Sequence, residues 1–178
     1  ILAFNHLNIH NFPQLKATTT EKGRRYRVGD SLYPSVTTVI GHSKKESIMK
    51  WRKKIGEEEA NKITKRASTR GNKCHKLCEL YLSNDSISKY KDDALSMGLF
   101  YQIKPYLDSI DNIHALEDPL SSSLLKMAGR VDCIAEYNGE LAIIDFKTST
   151  KYKREEWIDD YFAQETAYAI MFQELTGL

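Results

Sequence analysis

Ala128-Gly129-Arg130-Val131-Asp132-Cys133-Ile134-Ala135-Glu136-Tyr137-Asn138-Gly139-Glu140-Leu141-Ala142-Ile143-Ile144-Asp145-Phe146-Lys147 reads as a tight β-hairpin that brings two carboxylates together. Asn138-Gly139 separates two runs that alternate in polarity. A type I′ turn needs positive φ at both central residues, and Asn-Gly tolerates it. With those two residues as the loop, Tyr137 faces Glu140, and stepping outward brings Asp132 opposite Asp145. Their Cβ atoms would lie about 4.5 to 5.5 Å apart, where like charges are destabilising unless something offsets them. A divalent cation would do so. Strand side chains alternate with period two, so Lys147 shares a face with Asp145 while Ile144 and Phe146 point the other way.

Two readings of the carboxylate pair stand. They are either solvated residues on the wet face of an antiparallel hairpin or ligands of a metal ion. Ile134, Leu141 and Ile143 share the carboxylate face and cover part of it. Buried like charges without a cation are costly, although structural ion networks also contain such pairs.

Upstream, His75 and Glu79 are four residues apart on one helical face, so both can reach a common cation or simply contact each other. Downstream, Gln164 and Tyr168 share a face by the same spacing. The amide, ring and hydroxyl can position a phosphate, a base or Lys147; alternatively Tyr168 belongs to a core stripe with Phe162, Ala167 and Met171.

These pieces resemble the PD-(D/E)xK nuclease superfamily, specifically its RecB-like exonuclease branch. Gly129-Arg-Val-Asp132, the short hairpin and Asp145-Phe-Lys147-Thr-Ser look like its core; Gly71-Asn-Lys-Cys-His75-Lys-Leu-Cys-Glu79 resembles its upstream helix with a metal-binding histidine. Gln164-Glu-Thr-Ala-Tyr168 resembles its Q-x-x-x-Y helix, and Tyr33-Pro-Ser-Val-Thr37 looks like the N-terminal segment of the mitochondrial genome maintenance exonuclease group and its phage relatives. The resemblance runs from residue 33 to 176.

The resemblance implies a restriction-endonuclease-like core, a mixed sheet flanked by helices. It implies a metal held by His75, Asp132, Asp145 and the backbone carbonyl of Phe146, with Glu79 as a further candidate. Asp132, Asp145, Lys147, Gln164 and Tyr168 become the catalytic set. Glu117 matches an additional acidic position of the family, with plain surface charge as the other reading. Oxygen-rich ligation favours Mg²⁺, with Mn²⁺ as substitute. The implied activity is DNA exonuclease action at single-stranded ends in replication, recombination or repair. The alternatives are a structure-selective endonuclease of the same superfamily and a non-catalytic nucleic-acid-binding module.

Charge is unevenly spread. The 178 residues carry a net +2, but residues 1 to 76 hold 17 Lys/Arg against 6 Asp/Glu, whereas residues 77 to 178 hold 9 against 18. A helical stretch containing Arg52, Lys53, Lys62, Lys65 and Arg66 is either a solvated face or a surface that tracks DNA phosphates. Three cysteines, Cys74, Cys78 and Cys133, cannot all pair internally and suggest a reducing, cytoplasmic compartment, host cytoplasm if phage-encoded. Cys133 alternates onto the apolar face with Val131 and Ala135 and reads as a small buried hydrophobe. Three cysteines are one short of an iron-sulfur site, so no cluster is expected. No run of eighteen apolar residues and no signal-like segment occurs, so neither a membrane span nor a secretory signal is expected. Oligomeric state stays open.

The pattern predicts a single domain. Residues 1–110 form its hairpin-bearing, mostly helical, basic part and residues 111–178 its catalytic hairpin and closing helix. A hairpin over 24–33 turns at Gly29-Asp30, and a short helix starts near Val36. Ser47 is a candidate N-cap for a helix over Ile48–Lys65, and Thr69 for another ending near Leu82, where Leu77, Leu80 and Tyr81 pack inward. A helix over 92–109 carries a stripe of Leu95, Leu99, Ile103 and Leu107, with Pro105 near its end. Strands are expected at 113–118, 122–137 and 140–147, and a last helix from Trp157 to Leu175. That order indicates α/β or α+β layering.

Overall fold

The computed structural model describes residues 3–153, 155 and 158–178. The elements run β1 (Lys16–Thr20), β2 (Gly23–Val28), β3 (Ser31–Pro34), α1 (Val36–Gly41), α2 (Lys45–Ile55), α3 (Glu57–Leu82) and α4 (Ala94–Leu107). They continue as β4 (Ile110–Ser122), β5 (Met127–Tyr137), β6 (Glu140–Ile144) and α5 (Asp159–Thr176). Helices and strands are mixed in an α+β arrangement, and no described helix is long and apolar enough to cross a membrane.

The chain resolves into two compact units. One comprises the segment ending at Ile9 with Ile55–Glu117 and Asp132–Thr150; the other comprises His10–Lys54, Asp118–Val131 and Lys151–Leu178.

In the first unit, the last turns of α3 and the inward face of α4 bury Cys74, Leu77, Cys78, Leu82, Phe100 and Leu107 against the hairpin residues Cys133, Ala135 and Phe146. Asp93 caps α4, its side chain accepting from the Ser96 N–H at 3.0 Å. The N-terminal segment is stitched to this core. Phe4 exchanges hydrogen bonds with the Asn84 amide, and Leu7 N–H donates to the Ile113 carbonyl.

The β5–β6 hairpin pairs Tyr137 with Glu140 and Cys133 with Ile144. Asn138 and Gly139 have φ of 51° and 84°, as the turn requires. The strand stops at Ile144 rather than at residue 147, because Asp132 offers its side chain instead of its backbone: its Oδ2 accepts from Phe146 N–H at 2.8 Å.

In the second unit, β1, β2 and β3 form an antiparallel sheet. Val28 pairs with Ser31 across the expected Gly29-Asp30 loop. Ser35 caps α1 by accepting from Thr38 N–H, and its backbone bridges to Ala128. α5 buries Gln164, Ala167, Tyr168, Met171 and Phe172.

Several sequence expectations are corrected. The mixed sheet is replaced by two three-stranded sheets, ordered β1-β2-β3 and β4-β5-β6; parallel pairing occurs as isolated bridges such as His6 with Ile113. The helix break expected between Lys65 and Thr69 falls instead at Gly56, whose φ of 89° suits glycine, and α3 runs unbroken for 26 residues. Thr69 is therefore a mid-helix residue. Leu95 is 66% exposed, and Ser96 and Phe100 take the inward positions, because capping by Asp93 sets the rotation of α4. Phe162 is likewise exposed. The expected strand 113–118 is longer, running Ile110–Ser122, whereas the expected strand 122–137 is shorter and starts at Met127, with the turn at 123–126 between them. Trp157, the expected start of the last helix, lies outside the described residues.

Candidate metal centre

Asp132 sits where β5 enters the first unit, and two groups converge on its Oδ2. His75 Nδ1, from α3, lies 3.2 Å away, and Phe146 N–H donates to it. Glu117 comes from β4. One ligand atom each from His75, Glu117 and Asp132 lie within 4.8 Å of one another. Ligands on one cation at about 2.0 to 2.6 Å can be at most about twice that distance apart, so the spacing suits a shared ion. Glu117 has φ of 56° in the middle of a strand. A long side chain takes that region at a cost of about 1 to 3 kcal/mol, and such outliers concentrate at functional sites.

Asp145, one residue beyond β6, forms an ion pair with Lys147. Burial pushes its carboxyl pKa above the usual carboxylate value, and the neighbouring Asp132 charge pushes the same way, with Lys147 opposing. Burial also acts to raise Asp132. It is nevertheless held below the ordinary value by His75, the Phe146 N–H and Lys147 together. His75 is raised, chiefly by its hydrogen bond to Asp132, against the desolvation of its ring. Two half-buried carboxylates with opposite shifts form a charge arrangement that a cation would relieve, since it neutralises both without a proton. The donor set, carboxylate oxygens with one imidazole, fits a divalent metal ion.

The other expected residues fall as follows. Glu79 takes Lys76 as its partner at 2.7 Å and is not part of the His75–Glu117–Asp132 cluster. The Phe146 ring is buried and meets His75 edge-on, with centroids 6.1 Å apart. Lys62, Lys65 and Arg66 line the outer turns of α3, whereas Arg52 and Lys53 lie on α2 in the other unit. Gln164 and Tyr168 also belong to that second unit. Gln164 is buried, and the Tyr168 hydroxyl donates to the Arg130 carbonyl at 3.0 Å. The Tyr168 ring lies against Gly129 so closely that a Cβ there would sit 2.5 Å from the hydroxyl oxygen. Gly129 and Tyr168 are thus two sides of one contact, and Tyr168 is buried.

All three cysteines are buried and unpaired. Burial pushes the Cys133 thiol up to about 12, helped by the Asp132 and Glu117 charges, so it stays protonated and inert. Glu117 is the functional candidate that spacing alone left weakest. Its local sequence, Leu116-Glu117-Asp118, contains no ligand pattern, and its position before the hairpin and the family resemblance pointed to it.

Fold and site together describe an α+β chain whose sheet and central helix gather a candidate metal centre. No family model matches the sequence. The chain is similar to the protein named mitochondrial genome maintenance exonuclease 1 from Homo sapiens, 29% identical over 132 residues, which are 69% of this chain and 38% of that protein. The Mus musculus protein of the same name is 30% identical over 128 residues, 67% of this chain and 38% of its own length. The Xenopus tropicalis protein of that name is 28% identical over 138 residues, 72% and 40% respectively. The chain therefore spans about two fifths of the length of these curated relatives, and the similarity supports a relationship to exonucleases.

Proposed function

We propose that this chain hydrolyses phosphodiester bonds in DNA as a metal-dependent exonuclease acting at single-stranded ends, in replication, recombination or repair. The observation that carries the reading is the convergence of His75, Glu117 and Asp132 within 4.8 Å. Asp145 and Lys147 follow on the same hairpin. The name shared by the relatives supports the nuclease assignment.

In this reading His75, Asp132 and Glu117 would hold a divalent ion together with Asp145 and the Phe146 carbonyl. When bound, Mg²⁺ or Mn²⁺ would supply Lewis acidity, which polarises the phosphate and lowers the pKa of water. Asp132 fixes the orientation of His75 through the Nδ1 contact, and the Phe146 N–H fixes Asp132. Lys147 presents its ammonium from the Asp145 side. There it orients the attacking water or stabilises charge on the scissile phosphate. Gln164 and Tyr168 support the strand that carries Asp132, and Arg52, Lys53, Lys62, Lys65 and Arg66 attract the phosphate backbone. The odd cysteine count supports a reducing cytoplasmic setting.

The test incubates the protein with end-labelled linear single strands, duplexes and covalently closed single-stranded circles. Each is run in Mg²⁺, Mn²⁺, Ca²⁺ and EDTA. We expect linear single strands to shorten from an end in Mg²⁺ or Mn²⁺ and to survive in Ca²⁺ or EDTA, because the looser coordination of calcium spoils in-line geometry. Cleavage in EDTA would overturn the metal mechanism, cutting of circles would make the protein an endonuclease, and DNA binding without cleavage in any metal would make it a binding module.

A further inference from the structure

α3 and the start of α4 enclose a groove of about 500 Å³ within the first unit. One wall is a stripe of α3 in which Lys62, Lys65, Arg66, Arg70 and Lys73 follow one another at helical spacing. The opposite wall is short and mostly uncharged, made by Leu95 and Ser96 with Asp93 as its carboxylate. Five cations thus face one anion.

The pairings inside the groove separate its cations into two kinds. Asp93 already neutralises Lys73 at 2.6 Å, and Glu58 pairs with Lys62 at 2.8 Å. Among the described residues, Lys65 and Arg66 have no such partner. Arg70 reaches out of the groove: its Nε donates to Thr148 Oγ1 at 3.4 Å, and Thr148 directly follows Lys147. Arg70 also precedes His75 by five residues, about 7.5 Å along the helix axis. The groove therefore opens toward the hairpin end that carries Asp145 and Lys147.

We propose that this groove is a nucleotide subsite for single-stranded DNA, separate from the metal centre, with Arg70 as the residue shared between the two. Lys65 and Arg66 take a phosphate of the strand, Arg70 takes the phosphate nearer the hairpin, and the alkyl stems of α3 with Leu95 contact the sugar and base. The volume lies in the range that encloses one small ligand. No aromatic lines it, so base identity goes unread and binding is set by phosphates. The inference rests on the nuclease reading only for its direction along the strand.

The test measures affinity in EDTA for a fluorescent oligo-dT of eight nucleotides and for a duplex of equal length, across a salt series. Lys65→Gln/Arg66→Gln should weaken single-strand binding about tenfold and lower the salt slope by roughly 0.7 for each lost contact. Leu95→Asp, on an exposed side chain, should weaken it through repulsion without touching α3. Lys65→Arg/Arg66→Lys should keep wild-type affinity. Lys16→Gln/Lys22→Gln, on or beside the exposed β1 strand, removes the same charge elsewhere and should change affinity less than twofold. Equal losses from the groove and β1 variants, unchanged binding in Lys65→Gln/Arg66→Gln, or duplex binding as tight as single-strand binding would each overturn the subsite. Because EDTA removes catalysis, failure of the nuclease reading leaves this measurement intact, and failure of the subsite leaves metal-dependent cleavage intact.

Discussion

The two ends of α3 are one helix with two physical regimes. From Glu57 to Lys73 it buries Ala60, while from Cys74 to Leu82 it buries Cys74, Leu77, Cys78 and Leu82. The second stretch is held by tertiary packing. The first is held by intrinsic propensity, by Glu57, Glu58 and Glu59 against the positive end of the helix dipole, and by an exposed Glu58–Lys62 pair worth a few tenths of a kcal/mol. Isolated, such a segment is marginal; continued from a buried turn, it avoids the cost of nucleation. A helix anchored at one end can therefore spend the other end on charge, which is why the candidate ligand His75 and the cation stripe occupy one element.

The division of labour breaks most visibly at the hairpin. Asp145→Asn and Lys147→Ala should each reduce cleavage by on the order of a hundredfold or more, with the circular dichroism spectrum and EDTA-phase DNA binding largely kept. Near wild-type turnover in either variant would move the chemistry away from the packed end of α3. Stability should divide the helix the same way: Leu77→Ala should cost about 2 to 5 kcal/mol in urea unfolding. Ile63→Ala, on the open stretch, should stay within about 0.5 kcal/mol. Equal losses would erase the distinction.

The second unit offers a control in which one close contact replaces a whole packed face. Gly129→Ala should destabilise by about 1 to 3 kcal/mol, because its new methyl group collides with Tyr168. Adding Tyr168→Ala should recover part of that loss; strictly additive losses would show that the two residues act independently.

The smallest effect is expected where the open stretch of α3 meets α4. Lys73 and the cap bonds from Ser96 hold the Asp93 carboxyl at about 2, below its ordinary value. A depressed carboxylate stabilises the fold at pH values above its unfolded pKa and loses that contribution as pH falls through about 2. Asp93→Ala should therefore lower the thermal midpoint by about 2 to 4 °C at neutral pH, with the gap to wild type closing on acidification toward that value. A gap that stays constant with pH would leave only the loss of helix capping.

What could be read from the chain alone was local. The Asn138-Gly139 turn, the Tyr137–Glu140 register, the alternation that buries Cys133 and the Gly29-Asp30 loop each depend on a few adjacent residues and on period-two geometry. Tertiary structure decided what depends on distant partners. It continued α3 through Thr69, ended β6 at Ile144 when the Asp132 side chain took the Phe146 N–H, and sent Glu79 to Lys76. It also brought Glu117 beside His75 and Asp132 through a strained backbone. Fifteen residues separate Glu117 from Asp132 and 42 separate it from His75, so no spacing rule connects them. A turn is encoded by the residues that form it, whereas a cluster of ligands exists only once packing has chosen which faces meet.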